Sequence, residues 1–126
     1  MNILDHVVIG VSNSKISREF YAEALAPLGI AIDSDWGSSF SLSRPGEDPQ
    51  LGFRATDGHT TPQHIAFRAE SKEEVEAFHK AALRAGGKNN GDPGFRPQYE
   101  NGYYAAFVLD PDGHNVEAVF HFASAN

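Results

Sequence analysis

Apolar residues along this chain fall into short bursts, twice interrupted by a helical spacing. The first burst, Asp5-His6-Val7-Val8-Ile9-Gly10-Val11, is rich in β-branched residues, which suit a pleated, half-buried strand. Ile16, Phe20, Tyr21, Ala24, Leu25 and Leu28 then recur three and four positions apart, one apolar stripe of a helix. Its start falls among Ser12, Asn13 and Ser14, whose side chains accept orphan backbone N–H groups. Pro27 and Gly29 end it. Strand candidates follow at 29–33, 38–43 and 50–54.

The second half repeats this order. Gln63-His64-Ile65-Ala66-Phe67-Arg68-Ala69 is again a strand, and Ser71-Lys72-Glu73-Glu74 reads as a capping box, in which Ser71 and Glu74 satisfy each other's backbone donors. Val75, Phe78, Ala82 and Leu83 give the second helix its buried face, and Gly86-Gly87 stops it. A weak strand near Lys88 and stronger ones at 103–109 and 115–122 follow. Asp110-Pro111-Asp112-Gly113 supplies the turn between the last two. His6 matches His64, Phe20 matches Phe78, Ala24 matches Ala82 and Gly29 matches Gly87, all at one constant offset. Two copies of a β-α-β-β-β module are expected, at 1–56 and 62–122, joined by a polar linker at 55–62. Residues 89–102 read as a long Gly/Pro loop carrying Phe95, Arg96 and Tyr99, of the kind that often carries function.

Composition narrows the possibilities. A chain of 126 residues suits one domain. Its formal charge of −7, with no basic run, opposes nucleic-acid binding, which needs cations against phosphates. No apolar stretch approaches the roughly 20 residues of a membrane span, and the first residues lack the basic-then-apolar pattern of a signal peptide. Cysteine is absent, which excludes disulfides and thiolate metal sites. A cytoplasmic protein with a small-molecule partner is expected.

Candidate chemistry comes from alternation, since side chains two apart on a strand share a face. Ile65 and Phe67 form a core pair, which turns His64, Ala66 and Arg68 to the opposite face. In the last strand Val116, Ala118, Phe120 and Phe122 are the apolar face, and Glu117 lies opposite with Asn115, Val119 and His121. A mid-strand carboxylate is costly to bury unless it is paired or bound to metal. His6 occupies the module position of His64. Two imidazoles and one carboxylate on one cavity suit a divalent metal with open coordination positions. His59 in the linker, His79 on the exposed side of the second helix and His114 after a turn read as structural. His121 reads as a residue at the rim.

The repeated module, Leu4-Asp5-His6, Phe20-Tyr21, His64-Ile65-Ala66-Phe67 and Asp110-Pro111-Asp112-Gly113-His114-Asn115-Val116-Glu117 resemble the vicinal oxygen chelate superfamily. That group includes glyoxalase I, extradiol dioxygenases, bleomycin-resistance proteins and fosfomycin-resistance enzymes. The resemblance implies an α+β fold in which two βαβββ modules form cupped mixed sheets around a cleft. It places the metal ligands on His6, His64 and Glu117, with Fe, Mn, Ni or Zn as the divalent ion. The substrate would carry adjacent oxygens, and lyase, isomerase and dioxygenase chemistry all remain open. Glyoxalase I adds a carboxylate from the last strand of the first module. Gln50-Leu51-Gly52-Phe53-Arg54 has none, so true glyoxalase I activity is not expected. A simple hairpin register turns Tyr104 toward the cavity as a substrate-contacting catalytic group, with Arg68, Phe95, Tyr99 and His121 as binding residues. The resemblance also implies a homodimer. The rival expectation is a metal-free small-molecule binder or drug-sequestering resistance protein, its cleft lined by Trp36, Phe40, Phe95, Tyr99 and Tyr104.

Overall fold

The computed structural model describes residues 3–122; positions 1, 2 and 123–126, the ends of the expected 1–126 domain, lie outside the described residues. The chain runs β1 (Val7–Val11), α1 (Ser14–Ala24), a 3-10 turn (Ala26–Leu28), β2 (Ala31–Asp35), β3 (Ser39–Ser43) and β4 (Leu51–Ala55). It then repeats as β5 (His64–Arg68), α2 (Lys72–Arg84), β6 (Lys88–Phe95), β7 (Tyr103–Leu109) and β8 (Asn115–His121). The strands form two four-stranded sheets, ordered β1-β4-β3-β2 and β5-β8-β7-β6. Each module is thus wired identically. β1 lies parallel to β4 and β5 to β8, because a helical crossover is what returns a chain parallel to its starting strand.

Local sequence explains the helix ends. Asn13 accepts the Ile16 amide at 3.0 Å and begins α1. Ser71 accepts the Glu74 amide at 3.1 Å, but the Glu74 carboxylate takes the Glu70 amide rather than that of Ser71. The α1 stripe is buried from Phe20 to Leu28, whereas Ile16 is half exposed. Leu83 also lies partly in solvent, while Val75, Phe78 and Ala82 are buried.

One contiguous core joins the modules. Phe20 and Tyr21 of α1, Leu25 just after it, and Val75 and Phe78 of α2 meet Phe53 and Phe40 of the first sheet and Val116 and Val108 of the second. Tyr21 stacks on Phe53 with ring centroids 4.4 Å apart. Gly87 sits where the two halves close, since a Cβ there would lie 2.4 Å from Val108 and 2.9 Å from Phe20. Each fully buried aromatic contributes about 2–3 kcal/mol by removal from water. With the helices on this side, the opposite face of each sheet is left without a helix.

The first half of the expected loop at 89–102 is strand. β6 continues to Phe95, with its register against β7 shifting between Asn89 and Gly91 and again before Gly94. Gly91, Pro93 and Gly94 disguise it, and bulged strands tolerate such residues. His79, expected at the surface, is buried and donates from Nε2 to Asn89 Oδ1 at 2.9 Å.

Candidate functional site

On the helix-free face of the second sheet, Glu117 is 1% exposed. Its Oε1 lies 2.7 Å from His64 Nε2, and its Oε2 accepts the hydroxyl of Tyr103. Alternation explains the meeting. Ala66 is opposite Glu117 in the parallel β5–β8 register, so His64 stands two residues away on the same face. The two partners satisfy a carboxylate whose unpaired burial would cost several kcal/mol. Ala105, Phe107 and Val119 surround them as a small apolar cluster. The His64 side chain itself remains 56% exposed. Burial first, then the hydrogen bond and charge of Glu117, push the Tyr103 phenol well above its usual 10.0, so it stays a donor.

Tyr104 is a correction. It faces the helix, is buried among the core residues, and donates its hydroxyl to Glu76 of α2 at 2.9 Å. Burial and Glu76 raise its pKa. The turn explains the difference. Asp110–Gly113 as a four-residue loop would face even-numbered residues of β7 toward Glu117. His114 joins the loop instead, its carbonyl accepting from the Asp110 amide. Leu109 then pairs with Asn115 and Phe107 with Glu117, which turns Tyr103 to the open face. Counting a five-residue loop would have found it.

The chain does not bring His6 to His64 and Glu117. His6 precedes β1, is two-thirds exposed, and donates from Nδ1 to Asp5 at 2.6 Å. It lines a cavity of about 460 Å³ on the open face of the first sheet. A second cavity, about 580 Å³, runs between the modules and includes Arg68, His121, Tyr103, Arg44, Glu47 and Asp48. His121 pairs with Glu100 at 2.7 Å and sets its ring against Tyr103. Tyr99 packs edge-on against Tyr103. Phe95 is turned away, packing against Tyr104 and Phe122 beneath the Lys72 ammonium.

Among the described residues, a different trio of ligand-type groups, Asp110, Asp112 and His114, lies with its atoms within 4.8 Å of one another. Every group in it is already engaged. Asp110 Oδ1 accepts the amides of Asp112 and His114, and Oδ2 accepts the Tyr21 hydroxyl at 2.6 Å. Asp112 accepts the Ser12 amide with both oxygens. His114 accepts the Gln63 amide at Nδ1 and donates from Nε2 to the Gly10 carbonyl. This trio ties the β7–β8 turn to β1 and α1.

A repeated βαβββ fold with a His–Glu pair on an open sheet face defines a class, and comparison with known proteins agrees. The model of the Glyoxalase/Bleomycin resistance protein/Dioxygenase superfamily matches residues 3–118, and the chain belongs to that superfamily. The uncharacterized protein YqjT of Bacillus subtilis (strain 168) is 26% identical over 92% of this chain and 97% of its own. A crystal structure of a glyoxalase/bleomycin resistance protein from Albidiferax ferrireducens T118 is 28% identical, covers 94% of this chain and 98% of that one, and has a TM-score of 0.78. A glyoxalase/bleomycin resistance protein/dioxygenase family enzyme from Burkholderia phytofirmans PsJN, 19% identical with a TM-score of 0.72 over 93% and 97% of the two chains, shares the fold. Among the described residues, no helix is long and apolar enough to cross a membrane.

Proposed function

We propose that this protein is a cytoplasmic, metal-dependent enzyme that chelates adjacent oxygens of a small-molecule substrate, with each site shared between two copies of the chain. The carrying observation is the meeting of His64 Nε2 and Glu117 Oε1 at 2.7 Å on a face no helix covers. An imidazole nitrogen and a carboxylate oxygen are both divalent-metal donors, so the pair fits Fe, Mn, Ni or Zn. His6, exposed on the corresponding face of the other sheet, would complete the set from a second copy, which makes the enzyme a homodimer of 1–126 domains. The bound ion supplies Lewis-acid stabilisation of an enolate or other oxyanion. Tyr103 holds the Glu117 carboxylate in place by donating to it, the carboxylate partner that metal sites commonly require. Val119 and Phe107 keep the surroundings apolar, which strengthens charge interactions there.

One observation favours the rival, a metal-free binder. Both Glu117 oxygens already have partners within the chain, so the cluster is complete without an ion. Stripping the purified protein and titrating it with Fe(II), Mn(II), Ni(II) and Zn(II) separates the two. Binding of one ion per chain, weakened at least a hundredfold in the His64→Ala/Glu117→Ala variant, is the expected result. Unchanged affinity in that variant refutes the metal site.

A further inference from the structure

The open face of the first sheet is built from residues that leave room. Val8, Gly52, Ser41 and Ser34 stand in register across its four strands, and Ser39 stands opposite Arg54 in the next row. A mostly antiparallel sheet commonly packs one face on the core and leaves the other to solvent, and these small residues stand on that second face. Here they floor a cavity of about 460 Å³, the size range of small-molecule sites.

Two further features describe an occupant. Trp36 lines the cavity with 67% of its surface exposed, an aromatic ring available for stacking. The lining also contains Arg54 and His6 and no carboxylate, although the chain carries a net charge of −7. Among the described residues Arg54 has no ion-pair partner. The inter-module cavity differs, for its lining holds Glu47 and Asp48 beside its two arginines.

We infer that this cup is a binding subsite for a flat, aromatic, anionic small molecule, its ring against Trp36 and its charge on Arg54. The inference rests on the proposed function only for its place in the assembly, as the half of the shared site that carries His6. Its binding chemistry needs no metal, which allows a separate test.

Cinnamate is the probe, with cinnamamide (same ring, no charge) and hexanoate (same charge, no ring) as controls. All are titrated calorimetrically into chelator-treated protein. Trp36 is the only tryptophan of the chain, so its emission reports directly on the cup. Cinnamate should bind and shift that emission, with cinnamamide and hexanoate each about tenfold weaker, the loss expected for one charge-assisted or stacking contact. Arg54→Gln should weaken cinnamate about tenfold and leave cinnamamide unchanged. Gly52→Val should fill the cup and abolish binding. Gly52→Ala, whose Cβ would sit 3.4 Å from the nearest atom, the Phe40 carbonyl oxygen, gives a milder version that keeps the fold. No cinnamate binding, equal binding of all three probes, or full affinity in Arg54→Gln overturns the inference. If cinnamate fails while metal titration succeeds, the subsite alone falls. If cinnamate binds and metals do not, the metal reading falls and the subsite stands.

Discussion

Two clusters of metal-ligand residue types draw on the same β7–β8 hairpin, and they differ in what their lone pairs are doing. Asp110, Asp112 and His114 bring their ligand-type atoms within 4.8 Å of one another, yet they are held by backbone amides, a carbonyl and the Tyr21 hydroxyl. Freeing them would undo the turn. His64 and Glu117 are fewer, but their partners are side chains and His64 is open to solvent. Side chains rotate away at a cost of rotamers; backbone amides do not. Closeness of donor atoms is therefore a poor criterion for a metal site, and the exchangeability of their present partners is a better one.

The largest expected effect breaks the comparison at its incomplete side. His6→Ala and Glu117→Ala should each abolish metal binding. If His6 completes the site from a second copy, mixing the two variants after dissociation and reassociation restores it, because the hybrid dimer holds one site with every ligand. Random reassortment predicts recovery of about a quarter of the wild-type sites. Metal bound by the mixture, measured by elemental analysis, is the readout. No recovery in a mixture shown to contain hybrids would place His6 outside the site or inside a single chain.

How much of this was legible beforehand follows from the periodicities. Both helices, their caps and the duplicated strand order were readable, since a 3.6-residue stripe and a constant offset survive without tertiary information. That His64 and Glu117 share one face was readable by strand alternation. Tyr103 was not, because one extra loop residue, His114, reverses the parity of β7. The length of β6 beyond its expected start near Lys88 was hidden by Gly91, Pro93 and Gly94, which also concealed the burial of His79, whose partner Asn89 belongs to that strand. The placement of His6 relative to Glu117 is a question about assembly, which strand alternation in one chain does not encode.

At the other cluster the expected loss is of stability, not metal. Asp110→Ala removes the acceptor of two amides and one buried hydroxyl. That should cost about 3–4 kcal/mol, or on the order of 10 °C in melting temperature for a domain of this size. Asp110→Asn, which keeps the acceptor for the two amides, should cost roughly half as much. Metal content of the folded variants should match wild type. Unaltered melting, or metal lost in step with the substitution while the fold persists, would make the turn cluster a site after all.

The smallest effect sharpens the same point through pH. Tyr21 is fully buried, and burial together with the charge and hydrogen bond of Asp110 raises its pKa well above 10.0. Above pH 10 the unfolded chain releases this proton while the native state keeps it, so the native state binds more protons. Stability then falls as pH rises, by up to about 1.4 kcal/mol per pH unit for one such group. Tyr21→Phe should cost about 1.5–3 kcal/mol at neutral pH, the worth of a hydrogen bond to a charged acceptor. Phenylalanine has no proton to lose, so the variant should be less sensitive to alkali and its deficit should shrink above pH 10. Denaturant unfolding of both proteins across that range gives two curves. Converging curves mark a phenol held neutral by the turn. Parallel curves would mean that Asp110 does not depend on it, and that the turn keeps a lone pair to spare.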